Sequence, residues 1–282
     1  MRFGCHVSIR EGYLGAAKHA AQLNAKSFQY FPKNPRSLSL KSFDTDDAYA
    51  CKVYCQENDI LSISHSPYPT KLTVQKDKQQ QVIDSLLNDL AISDACGSIG
   101  VVVHFGSSIE GNDPLAAYQV MINTLNQVLE HWDGACKLLL ENNAGKPGAM
   151  GTTLEELVQI RELCDSPEKI GFCLDTCHAY ASGLWDGDNW AEIETKAIEL
   201  GFFDDLAAIH LNNSRYPTGS GKDRHANIFE HGYINEAQWH EIMTSPFVQE
   251  VPLILETPDE FGISHKDEIE MLNQHWRSSL NP

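Results

Sequence analysis

Short apolar runs alternate with longer helical patterns along the chain, and most of the apolar runs close on a polar side chain. Strand-like runs read at residues 3–8, 27–31, 60–65, 98–104, 137–141, 170–174, 207–211 and 253–256, each bounded by turn residues. Between them lie helical patterns at 15–23, 46–58, 191–200, 235–243 and 266–277. In the helix after the third strand, Val82, Ile83, Leu86, Leu87 and Leu90 form one apolar face. Asp113 before Pro114 reads as an N-cap followed by proline at the first helical position, and Thr153 with Glu156 as a capping box. Eight such βα units without a linker or low-complexity tract predict a single-domain (β/α)₈ TIM barrel over residues 1–282. A doubly wound open sheet fits less well. It would carry a glycine-rich loop after the first strand and gather its polar groups at one switch point.

In a barrel the site lies at the C-terminal ends of the strands, so the closing residues matter. His65 ends the third strand, His104 the fourth and Glu141 the fifth. Asp175 ends the sixth, His210 lies in the seventh and Glu256 ends the eighth. His178 follows Asp175 by three residues, and a DRH triplet after the seventh strand adds Asp223 and His225. Taken alone, Asp175 could cap the next helix and His178 could be a satisfied core histidine. Six consecutive strands ending in His, Asp or Glu point instead to one bowl whose carboxylates need cations. These nine candidates are too many for one tetrahedral zinc and suit two or three ions sharing a carboxylate. Imidazole mixed with carboxylate favours zinc, manganese or iron over magnesium or calcium. A multi-metal site without a phosphate-cradling loop suggests phosphoester hydrolysis.

Composition narrows this reading. A hydrophobic content of 42% suffices for a full core, and no run reaches transmembrane length. MRFGCHVS enters a strand directly, so no signal or transit peptide is expected and the default location is cytoplasmic, or nuclear in a eukaryote. The eight cysteines have no CxxC spacing and read as buried reduced thiols. The net charge of −18 opposes a broad nucleic-acid-binding field, so any DNA contact needs a local basic face.

GCHVS, FQYFPKNPR, HSPY, VVVHFG, LLLENNAG, CLDTCHAYASG, IHLNNS, DRHANIFE and LILETP together resemble the successive motifs of the endonuclease IV family of apurinic/apyrimidinic (AP) endonucleases. The resemblance spans nearly the whole chain. LDTCHAYASG and DRH with its following glutamate are its most specific parts. It implies a zinc-dependent barrel that cleaves duplex DNA 5′ of abasic sites, leaving 3′-hydroxyl and 5′-deoxyribose phosphate ends. Position by position it implies three zincs. One is held by His65, His104 and Glu141, a second by the shared Glu141 with Asp175, His210 and Glu256, and a third by His178, Asp223 and His225. Manganese is an option at one site. A hydroxide bridging two metals would be the nucleophile, Glu256 would orient or deprotonate it, and Arg36 and Tyr68 would enter the duplex at the lesion. A monomer is expected.

Arg10, Lys33, Arg36, Lys71, Lys146, Arg215, Lys222 and Arg224 all fall in loops expected at that face, beside Asp186, Asp188, Asp259 and Glu260. Some positions depart from the family pattern. Asn213 stands for a usual aspartate, SPYP follows His65, Phe229 replaces a glycine and His231 looks inserted. They bear on loop shape rather than on the ligands. Two rival readings are a xylose-isomerase-like sugar isomerase or epimerase, and a barrel that binds damaged DNA or metal without turnover.

Overall fold

The computed structural model describes residues 1–108, 114–259 and 262–277; the Asp113 cap and Glu260 lie outside the described residues. Its strands are β1 (Arg2–His6), β2 (Ser27–Tyr30), β3 (Leu61–His65), β4 (Gly100–His104), β5 (Lys137–Glu141), β6 (Ile170–Asp175), β7 (Leu206–His210), β8 (Asn213–Ser214), β9 (His225–Ala226) and β10 (Pro252–Leu255). Eight of them close a parallel barrel in the order β1-β10-β7-β6-β5-β4-β3-β2, with helices packed outside. The remaining two, β8 and β9, form a small antiparallel ribbon beyond the seventh barrel strand. No described helix is long and apolar enough to cross a membrane.

Local chemistry sets the helix starts. Asp44 accepts from the amides of Asp46 and Asp47 at 2.9 and 3.2 Å, starting the helix Thr45–Asn58. Asn235 and Gln238 make a reciprocal capping box for Glu236–Thr244. The box expected at Thr153 is only half formed. Thr153 accepts from the Glu156 amide, but the Glu156 carboxylate reaches the Thr152 amide and the Tyr118 hydroxyl instead. A donor one residue upstream and a tyrosine from the neighbouring helix outcompete the reciprocal bond.

Inside the barrel, Ile63, Val102, Leu139, Cys173, Ala208 and Ile254 pack as one buried layer. Side chains along a strand repeat their direction every second residue. Two positions beyond those six stand His65, His104, Glu141, Asp175, His210 and Glu256. The apolar plug and the polar bowl are therefore consecutive layers of one stack.

Asn213 braces the loops above the bowl. Its Nδ2 donates to the carbonyls of Ile228 and Ile234 at 2.8 and 2.9 Å, and its Oδ1 accepts from the amides of Ser214 and Ile234 at 2.7 and 2.9 Å. Only glycine fits opposite, since a Cβ on Gly232 would lie 2.1 Å from the Asn213 amide carbon. This pattern uses both donors and the acceptor, which aspartate cannot match. Asn213→Asp should lower unfolding free energy by about 1–3 kcal/mol, because a buried carboxylate oxygen would face two carbonyls. Urea denaturation with unchanged midpoint would contradict this role.

Candidate metal centre

Each barrel strand contributes one polar side chain to the bowl. His65, His104, Glu141, Asp175 and His210 close five of them, and Glu256 directly follows β10, as expected. His6 and Gln29 complete the ring from β1 and β2. Gln29 is in register with Ile63, and His6 with Gln29, so both share its inward direction. His178 rises from the first turn of the helix Thr176–Ser182, Asp223 from the loop after β8, and His225 from β9.

The donor atoms gather in groups within 4.8 Å: His65, His104 and Glu141; Glu141, Asp175, His210 and Glu256; His178, Asp223 and His225. Glu141 belongs to two. Its Oε2 lies 3.1 Å from His104 Nε2 and 3.6 Å from His65 Nε2, while Oε1 lies 2.8 Å from His210 Nδ1. Asp223 Oδ1 lies 3.3 Å from His178 Nε2 and 3.2 Å from His225 Nε2. Donors around a tetrahedral zinc, each roughly 2.0–2.1 Å from it, stand about 3.3 Å apart. Glu141 Oε2 and His225 Nε2 are buried with no hydrogen-bond partner. Unpartnered buried donors at this spacing converge on common points and fit divalent cations.

The far sides of the imidazoles agree. His65 Nδ1 is 2.7 Å from the Ser66 carbonyl, His178 Nδ1 2.8 Å from that of Asn142, and His225 Nδ1 3.2 Å from that of Glu256. A carbonyl can only accept, so each Nδ1 carries a proton and Nε2 is the atom turned to the bowl, where a bound metal would take its lone pair. Gln29 imposes the opposite tautomer on His210. Glu256 Oε1 sits 2.6 Å from the Gln29 amide nitrogen, which must donate. The Gln29 oxygen then accepts from His210 Nε2 at 2.7 Å, so it is Nδ1 that faces the carboxylates, 2.8 Å from Glu141 Oε1 and 3.3 Å from Glu256 Oε2. The same Gln29 nitrogen is 3.1 Å from His6 Nδ1. Asn212 holds Asp175 Oδ2 at 2.7 Å and Glu256 Oε2 at 3.2 Å. Asp175 also caps its helix, accepting from the His178 amide through Oδ1 at 2.7 Å, while its Oδ2 lies 3.9 Å from His210 Nδ1 and 3.8 Å from His225 Nε2. Sequence reasoning misses Gln29, Asn142 and Asn212; they lie in the motifs FQYFPKNPR, LLLENNAG and IHLNNS, which are the signal that could have found them.

Cys177 lies near Asp175 and His225, but burial, with the charges of Asp175 and Asp223, drives its thiol far upward, and it faces the Arg224 carbonyl at 3.8 Å. It is a buried thiol, like the other seven cysteines. Burial opposes a charge on His225, yet the Asp223 carboxylate 3.2 Å from its Nε2 and the fields of Asp175 and Glu256 outweigh it and push it up to about 9. His178 is likewise raised against burial by Asp175, Asp223 and Glu141. For Glu256, burial raises and His210 and His225 lower, leaving it at about 2.

A cavity of about 360 Å³ opens above the ring beside Phe31, Tyr68 and Thr257. It adjoins one of about 460 Å³ bordered by Lys71, Ser107, Asn143 and Lys146. Tyr68 is 63% exposed and lines both, with its ring 5.1 Å from Phe31. Arg36 is exposed on the preceding loop. The other expected loop cations divide. Arg10, Lys71, Lys146, Lys222 and Arg224 are exposed and Arg215 half-buried, whereas Lys33 is 3% exposed and turned into the protein. Its expected place among phosphate-facing cations is corrected, because Ser85 and Asp89 offer it buried partners.

The fold and the bowl define a TIM-barrel protein with a clustered His and carboxylate centre. A family model described as Xylose isomerase-like TIM barrel matches residues 17–275. The chain is 39% identical to "Probable endonuclease 4" of Symbiobacterium thermophilum, over 92% of this chain and 93% of the relative. A second "Probable endonuclease 4", of Alkaliphilus oremlandii, is 34% identical over 98% of both chains. The crystal structure of endonuclease IV from Thermus thermophilus superposes with a TM-score of 0.84 at 26% identity, covering 99% of this chain and 100% of that one. The chain belongs to the endonuclease IV family within the xylose isomerase-like TIM barrels.

Two outcomes test the centre. Gln29→Leu should weaken divalent-metal binding about 10–100-fold by freeing the His210 ring and the Glu256 carboxylate, as measured by chelator competition. Unchanged affinity would remove Gln29 from that role. Metal must also displace protons from His178 and His225, which the free protein holds above their ordinary value. Affinity for a divalent cation should therefore rise with pH through the range in which these two histidines lose their protons, His225 at about 9 among them, and fall at lower pH. Calorimetry in buffers of different ionisation enthalpy should register proton release at pH 7.

Proposed function

We propose that this protein is an AP endonuclease that hydrolyses the phosphodiester 5′ to an abasic site in duplex DNA, leaving a 3′-hydroxyl and a 5′-deoxyribose phosphate. The observation that carries this is the nine-residue donor set in three groups with Glu141 common to two of them. Three zinc ions suit those groups, with manganese an alternative in one. His65, His104 and Glu141 would hold the first, Glu141, Asp175, His210 and Glu256 the second, and His178, Asp223 and His225 the third. Such ions, when bound, supply Lewis acidity that eases deprotonation of water near neutral pH and neutralises phosphate charge.

The protein's own groups do the rest. Among the barrel carboxylates, Glu256 has a side chain 20% exposed, against 0% for Asp175 and 1% for Glu141. It is the one reachable by an attacking water, and Gln29 and Asn212 fix its two oxygens. Its low proton affinity keeps it an acceptor at neutral pH. Glu256 orients or accepts the proton of that water; the water oxygen bonds to phosphorus, and the 3′ oxygen leaves with a proton from solvent. Tyr68 at the mouth, with Arg36 on the loop tied to it, would meet the lesion, and Lys71 and Lys146 would meet phosphates. No lysine occupies the ring, so a Schiff-base route lacks a nucleophile there.

A fold likeness to a D-tagatose 3-epimerase-like protein, with a TM-score of 0.71 at 19% identity over 99% of this chain and 98% of that one, keeps a sugar epimerase as the rival. An end-labelled abasic duplex should be cut on the 5′ side with no borohydride-trapped adduct. Glu141→Gln should cost at least about 100-fold in rate, against little for Cys177→Ser. A trapped adduct, a 3′ cut, or turnover of a free ketose without DNA cleavage would reject the proposal.

A further inference from the structure

Residues 31–44 between β2 and the helix Thr45–Asn58 contain no regular structure, yet this loop carries Arg36. Its stem is held from inside. Lys33 Nζ donates to the Ser85 carbonyl at 2.6 Å and the Ser85 hydroxyl at 2.8 Å, and lies 3.1 Å from Asp89 Oδ1. Both charged side chains are buried, 1% and 0% exposed. Ser85 and Asp89 belong to the helix Lys76–Ala95, whose Asn88 also brackets the backbone of Lys41, at 2.8 and 3.1 Å. At the tip, the Pro35 carbonyl accepts from the Tyr68 amide at 2.9 Å, so the loops bearing Arg36 and Tyr68 are tied together. The pair is expensive. Burial pushes Asp89 up to about 7 and Lys33 down, each against the pull of its partner. Apolar side chains of similar volume would fill this space at less cost, but without direction.

We propose that the Lys33–Asp89 pair is a positioning device for substrate: it sets the stem of the loop so that Arg36 and, through Pro35, Tyr68 stand over the bowl in the arrangement that receives an abasic site. This rests on the AP endonuclease reading. Lys33 and Asp89 touch no substrate and act through Arg36 and Tyr68.

The experiment compares wild type, Lys33→Met and the double variant Lys33→Met/Asp89→Leu. Each is measured for kcat and KM on an abasic duplex, hydrolysis of bis(4-nitrophenyl) phosphate, zinc content and Tm. In Lys33→Met, KM should rise about tenfold or more with kcat within about twofold. Cleavage of the small diester and zinc content should stay at wild-type levels. Lys33→Met also strands a buried carboxylate and so loses stability. The double variant should recover Tm while keeping the raised KM, a split that a purely structural pair would not produce. If the double variant recovers KM together with Tm, or if either folded variant has wild-type KM, the proposal is overturned. Failure of wild type to nick abasic DNA would instead remove the functional reading, and this proposal with it.

Discussion

Alternation along a β-strand is the constraint on which the centre depends. Once a side chain points into the barrel, the residue two positions later must point inward too, one layer higher. Six inward apolar residues close the middle of the barrel, and the next inward residue on each strand is a histidine or carboxylate. The apolar layer gives the polar one a dry, close-packed floor. That floor keeps water away from Glu141 and Asp175 from below, so the unpartnered Oε2 of Glu141 faces the ring of histidines rather than solvent.

The hydrogen-bond scaffold of the centre uses groups whose chemistry allows one answer. Carbonyls decide three histidines, and one glutamine, trapped between a carboxylate and an imidazole, decides a fourth. Neutral amides serve here because a further charge would compete with the cations for the same carboxylates. Without metal, protonated histidines supply the balancing positive charge, which is why His178 and His225 rise despite burial.

Much of this is legible in the amino-acid order. The expected strands agree with the observed ones to within two residues at their ends, and six of the nine candidate ligands follow from where the strands stop. DRH is readable as a local motif, and the β8–β9 ribbon explains how it reaches the bowl. Gln29 and His6 obey the same alternation but escape a search for ligands. Gln29 is uncharged and no usual ligand, and the residue two before His6 is Gly4, which breaks the apolar pattern. Lys33 reads wrongly as a surface cation because its partners lie on a distant helix, and nothing local separates a lysine facing solvent from one facing Asp89. The half-formed box at Thr153 fails for a similar reason, since Tyr118 enters from another helix.

Barrel closure brings β1 against β10, joining the first and last strands of the chain. The group of Glu141, Asp175, His210 and Glu256 accordingly draws donors from β5, β6 and β7 and from the residue after β10. A cation bound by all four would act as a cross-link between distant parts of the polymer. The loop entropy of the unfolded chain, which grows only slowly with length, has to be surrendered before those four donors can meet. Binding would then favour the closed barrel over its open-chain alternatives and make metal a partner in keeping its last four strands side by side.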